Sequence, residues 1–143
     1  MKNLMSYVFV IFMIASFGCS PVVKGQAPEA VKSNFKKMYP NENDPDWHLD
    51  KNGNYEAHFK KGGEKYRADY LPDGTWYETE SNIKKKHLPE AVQERIEKDF
   101  DDYKIYEIER VEHHAKGLFF DVEFKIDGEK KDIEFNAFGE IIN

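Results

Sequence analysis

The period of the hydrophobic pattern switches from helical to strand-like, then does so again in the same order. In "APEAVKSNFKKMY", residues 27–39, the apolar side chains Val31, Phe35 and Tyr39 fall at i, i+4 and i+8. That spacing draws one apolar stripe down a helix and leaves lysines and acids on the other faces. "YEAHF" at 55–59 then alternates strictly apolar and polar, the period of a strand with one face buried. The second helical stretch is "LPEAVQERIEKDF" at 88–100, with Val92, Ile96 and Phe100 as its stripe, and "FDVEF" at 120–124 alternates again. The predicted strands cover about 46–50, 54–60, 64–71 and 75–80, then about 104–112, 118–126, 129–136 and 139–142.

The helices repeat at an offset of 61 and the strands at an offset of 65. Pro28 and Pro89 stand where a first helical position favours proline, because its missing N–H would have no partner there. "GEKYRADYLPDGTW" at 63–76 aligns with "GEKKDIEFNAFGEI" at 128–141, placing Gly74 on Gly139 and Trp76 on Ile141. Short Gly-, Asn- and Asp-bearing turns ("KNGN", "KKGG", "LPDG", "KIDGE", "NAFG") require antiparallel neighbours. The expected fold class is α+β: two tandem repeats, each a helix followed by a four-stranded antiparallel meander, with both helices on one face of a combined sheet of up to eight strands. The expected organisation is a leader at 1–18, a tether at 19–26, a first repeat at 27–80, a basic linker at 81–87 and a second repeat at 88–143.

Alternation also assigns the faces. Tyr55, Ala57, Phe59, Tyr66, Ala68, Tyr70, Phe120, Val122, Phe124, Ile133 and Phe135 should face the helices, and the equivalence with Ile141 makes Trp76 a core residue. The open face should carry Glu56, His58, Lys60, Arg67 and Asp69, then Asp121, Glu123, Lys125, Asp132 and Glu134. One wet, charged face is ordinary for an antiparallel sheet.

Residues 4–17 are an uncharged, largely apolar run preceded by Lys2. As a helix it would reach about 21 Å, short of the roughly 30 Å hydrocarbon core, so a secretory leader fits better than a span. "SFGCSP" resembles a bacterial lipobox and makes Cys19 the candidate lipidation site; cleavage near Gly25 is the alternative. Cys19 is the single cysteine, so the chain forms no intramolecular disulfide. Export to the periplasm, or to the outer membrane as a lipoprotein, is expected, with membrane contact confined to that anchor. Net charge is −6, and −7 once the leader and Lys2 are removed, which argues against a nucleic-acid partner.

"PEAVKSNFKKMYPNENDPDW", "LPDGTW", "LPEAVQERIEKDF" and the terminal "FNAFGEII" together resemble the PepSY-like, β-lactamase-inhibitor-protein-like (BLIP-like) family of exported Bacteroidetes-type proteins. The likeness covers about residues 27–143. It implies an α+β fold of two helix-plus-sheet repeats and carries over no catalytic residues. Fold analogy by itself assigns no activity.

Searching for chemistry adds little. "DKNGNYE" at 50–56 lacks the Gly and Glu that an EF-hand loop needs, and Asn52-Gly53 reads as a turn. Glu42, Asp44 and Asp46 share an acidic loop after Pro40. His113 and His114, adjacent on a strand, should face opposite sides, and His48, His58 and His87 have no metal-ligand spacing. No hydrolase, metalloprotease or nucleotide-binding motif is present, so neither catalysis nor a cofactor is expected. Tyr77 and Phe119 alternate away from core neighbours, making them candidate exposed aromatics among charges, with His58 and Arg67 beside them. Tyr103 and Tyr106 are ambiguous. The expected function is a non-catalytic binding module whose open face contacts a protein or peptide of the cell envelope. The alternative is a small-molecule or divalent-cation sensor using the acidic loop and open-face carboxylates.

Overall fold

The computed structural model describes residues 26–143; the leader, Cys19 and most of the tether lie outside the described residues. The elements run α1 (Glu29–Met38), β1 (Asp46–Leu49), β2 (Tyr55–Lys61), β3 (Glu64–Tyr70), β4 (Trp76–Asn82), a 3-10 turn at Lys85–His87, α2 (Glu90–Asp99), β5 (Lys104–His113), β6 (Gly117–Ile126) and β7 (Glu129–Phe135). All seven strands form one antiparallel sheet in sequence order. The halves meet where β4 pairs with β5, from Glu78↔His113 to Asn82↔Glu109. Among the described residues, no helix is long and apolar enough to cross a membrane.

Both prolines stand one residue earlier than expected. Pro28 and Pro89 are N-caps with extended ψ angles of 155° and 145°, and their carbonyls accept the first helical bonds from Lys32 and Gln93. Val31 and Phe35 are buried under α1, Val92 and Ile96 under α2, while Tyr39 and Phe100 close each stripe as C-caps. Each helix covers its own core. The first contains Val31, Phe35, Ala57, Ala68 and Tyr70; the second contains Val92, Ile96, Phe120, Val122, Phe124 and Phe135. Between them, β4 turns the small polar side chains Thr79 and Ser81 toward the helices, both buried. Thr79 Oγ1 lies 2.7 Å from Tyr39 Oη and accepts a 2.9 Å bond from Trp76 Nε1, so the seam is hydrogen-bonded rather than greasy.

The turn glycines explain how closely helix and sheet approach. Gly74 has φ +91° and Gly139 φ +78°, and a Cβ on either would meet the first helical turn, at Ala30 O (2.8 Å) and Ala91 O (2.5 Å) respectively.

The expected eighth strand at 139–142 is instead a single bridge, Phe135↔Ile141. Ile142 N bonds Glu134 O, and the Asn143 side chain then replaces the ladder: its Oδ1 accepts from Glu134 N and its Nδ2 donates to Asp132 O. Ile141, the counterpart of Trp76, is 39% exposed rather than core.

Two β-bulges correct simple alternation. On β4, Asp69 faces Glu78 but Tyr70 faces Trp76, leaving Tyr77 as the extra residue. On β5, Ile105 faces Phe124 but Glu107 faces Glu123, leaving Tyr106 extra. Without the bulge, Trp76 would share the open face with Glu78 and Glu80. With it, Trp76 packs against the first core.

Candidate functional site

The open face is acidic in its middle and on the second half of the sheet. Cross-strand pairs place Glu56, Asp69 and Glu78 in one row, and His58, Arg67, Glu80 and Val111 in the next. Glu109, Asp121 and Glu134 form a further row, followed by Glu107, Glu123 and Asp132. A depression of about 260 Å³ opens among them, lined by Arg67, Glu80, Glu107, Glu109, Asp121, Glu123 and Asp132: six carboxylates around one guanidinium.

Arg67 is the cation that organises this face. Its Nε lies 3.2 Å from Asp69 Oδ2 and its Nη2 2.6 Å from Glu80 Oε1. Lys130 Nζ stands 2.8 Å from Glu123 Oε1, and the two cations together still leave the acids in excess. Burial pushes the Asp69 carboxyl up to about 7 against the pull of Arg67, with Glu56 and Glu78 adding to the rise. Burial likewise takes Glu80 to about 8, opposed by Arg67 and reinforced by Glu109. Asp121 rises to about 6 through burial and then Asp132 and Glu134, and Glu109 rises through burial and then Glu107. Asp69 Oδ1 and Asp121 Oδ1 are buried with no hydrogen-bond partner.

Of the four expected contact residues, His58 and Arg67 lie directly opposite one another on the open face. His58 is held by Glu56, 3.0 Å away, and its ring lies 4.5 Å from that of His48. Tyr77 and Phe119 depart from expectation. Phe119 is only 4% exposed: it faces the buried Val111, and Lys116 reaches across its ring at 5.0 Å to pair with Glu134. Alternation assigned its side of the sheet correctly, but neighbouring strands and the 114–116 turn cover it. Tyr77 is half-buried, with its ring 4.8 and 4.9 Å from those of His113 and His114.

Those two histidines do not face opposite sides. The strand ends at His113, the turn swings His114 round, and the rings stack at 4.5 Å. His113 Nδ1 accepts the backbone N–H groups of Ala115 and Lys116. In the acidic loop, Asp46 bonds His48 and begins β1, while Asn43 is held by Lys36. A larger groove of about 670 Å³ runs between α1 and this loop, over Phe35 and Trp47; its rim mixes Lys32 and Lys36 with Glu42 and Asp44, so it carries no strong field.

The exposed open-face aromatic is Tyr106, 60% exposed at its bulge, with Lys130 Nζ 3.5 Å from its ring centroid. Sequence reasoning also overlooked Glu80, Glu107 and Glu109. The "YEIERVEH" alternation held the signal for the β5 acids, but only strand pairing sets them beside Arg67 and Asp121.

Residues 53–142 match the family model described as "Putative beta-lactamase-inhibitor-like, PepSY-like", well over half of the 143-residue chain. The chain belongs to the PepSY-like family. Its fold is shared with a DUF2874 protein of Bacteroides ovatus, at TM-score 0.76 and 22% identity over 83% of this chain and 86% of the other. A protein of Bacteroides eggerthii described as "putative periplasmic" superposes at TM-score 0.75 and 24% identity, covering 83% of this chain and 88% of that one. A BLIP-like protein of Bacteroides fragilis gives 0.73 and 22% identity, over 82% and 84%. At such identities the likeness establishes the fold. No curated protein sequence matches the chain.

Proposed function

We propose that this PepSY-like chain is a non-catalytic binding module of the cell envelope whose open sheet face receives a basic segment of a protein or peptide. The observation that carries this reading is the depression lined by six carboxylates and one guanidinium, where Lys130, paired with Glu123, is among the described residues the one further cation that reaches a lining acid. A concave surface of one sign concentrates field and attracts the opposite charge. Arg or Lys side chains of a partner would supply the donors that Asp121 Oδ1 lacks. Tyr106, on the neighbouring bulge, offers an aromatic contact, while Arg67 sits among the acids, His58 lies across from it at the border, and Tyr77 and Phe119 stiffen the end of the surface. None of these groups is arranged as a nucleophile with an adjacent base.

Export is part of the same reading. The apolar run at 4–17 followed by Gly18-Cys19 supports a lipid-anchored mature protein, and intact mass of that protein distinguishes acylated Cys19 from cleavage near Gly25. Fluorescence anisotropy tests the face itself. A labelled Arg/Lys-rich peptide should bind wild type and lose at least about tenfold in affinity with E109K/D121K, with binding weakened by salt. Equal binding by both proteins, or preference for an acidic peptide, would reject the assignment.

A further inference from the structure

A cation of the chain itself is seated at one end of the depression. Lys130 on β7 stands in register with Lys125 and Lys104, one row beyond the acids Glu107, Glu123 and Asp132. Like charge along its own row repels it, the acids draw it, and its side chain leans back over β6. Its Nζ lies 2.8 Å from Glu123 Oε1 and 3.5 Å from the centroid of the Tyr106 ring, two strands away. Tyr106 reaches this place because it is the extra residue of the β5 bulge, between Ile105, which faces Phe124, and Glu107, which faces Glu123. A carboxylate and an aromatic face thus form a cage for one positive charge. The Lys130 side chain is 53% exposed and Tyr106 60%, so water and a competing cation reach both.

We propose that the Tyr106–Glu123 cage is the seat of an arginine side chain of the basic partner, and that Lys130 fills it in the free protein and is displaced on binding. The proposal rests on the open face receiving a basic segment, and it names the residue that anchors that segment. A partner lysine would exchange one ammonium for another and gain no new contact. A guanidinium gains several. It is planar, stacks flat on an aromatic ring and sheds its water more easily than an ammonium. Its forked donors also match two facing carboxylates. Glu107 stands directly across from Glu123 and commits its Oε1 to the Asn82 amide, so the second oxygen of each acid is the one a fork would meet.

Fluorescence anisotropy with two labelled peptides, identical except that one carries Arg where the other carries Lys, tests this at fixed low salt. Wild type should bind the Arg peptide at least about fivefold more tightly, and Y106A should erase that preference. K130M, which empties the cage, should tighten Arg-peptide binding about three- to tenfold. K125M removes the same charge from the strand alongside, measures the contribution of net charge alone, and should give clearly less. In NMR spectra of the free protein, the Lys130 ε-methylene protons should be shifted upfield by the Tyr106 ring and return to ordinary lysine positions as the Arg peptide saturates. Equal affinity for the two peptides would overturn the assignment. So would a preference that survives Y106A, a K130M gain no larger than that of K125M, or Lys130 signals unmoved at saturation. In each of those cases the peptide still binds, and the broader assignment of the open face stands. Binding of neither peptide by wild type would end both.

Discussion

Arg67 Nη2 lies 2.6 Å from Glu80 Oε1, tying β3 to β4 in the middle of the open face. The Glu80 side chain is 12% exposed and that of Arg67 36%, so this pair is shielded on the acidic side and wet on the basic side. Removing the cation would leave Glu80 and Asp69 without their shared counter-charge. R67M should therefore cost about 1–3 kcal/mol at pH 8, between a surface and a buried pair. The loss should shrink at pH 5.5, where the acids take up protons. Urea unfolding at both pH values checks it.

The pH dependence of wild type follows from the same acids. Asp69 and Glu80 titrate near 7 and 8 when folded, above their ordinary values, as does Asp121 near 6. Between pH 4 and 8 the folded chain thus binds more protons than the unfolded one. Stability should be greatest below the ordinary carboxylate range for these groups and fall as pH rises through 6–8. Asp50 is opposite in sign: burial raises it, but the backbone and side-chain hydrogen bonds from Asn54 and Asn52 together outweigh that and lower it, so its contribution disappears at strongly acid pH. The unfolding temperature should decline from pH 5 to pH 8.5, and E80Q should flatten the decline.

Thr79 is a small residue with a large effect. Its hydroxyl oxygen meets both Tyr39 Oη and Trp76 Nε1 at the seam between the cores. T79V keeps the shape and strands both partners, at a cost of about 1–3 kcal/mol. Chemical unfolding measures the loss, and a shift in Trp76 fluorescence should accompany it.

Gly74 and Gly53 separate two reasons for a glycine. Both have positive φ, but a Cβ at Gly53 meets open space, while one at Gly74 runs into the Ala30 carbonyl. G53A should cost about 1 kcal/mol from backbone strain alone. G74A, and likewise G139A, should cost clearly more, because α1 or α2 must be pushed off the sheet. Comparing denaturation midpoints of the three variants decides it.

Much of this protein was legible from period alone. The stripes Val31–Phe35 and Val92–Ile96 are buried as helical spacing requires, and Ala57, Ala68, Val122 and Phe124 face them as alternation requires. Burial of an apolar face is a local instruction repeated every two or three to four residues, and the chain carries it twice. What the tertiary structure decided is phase, cover and convergence. The bulge at Tyr77 turns Trp76 into the core, so alternation counted back from Glu78 and Glu80 gives the wrong face for Trp76. Phe119 stands on the predicted side yet is roofed by Lys116, which belongs to a turn. Asp69, Glu78 and Glu80 converge only because β4 pairs β3 in one register, and the six carboxylates gather around Arg67 only because β4 pairs β5. Side-chain period is written residue by residue. The register between strands is set by distant partners, and with it the charge of the face this protein presents.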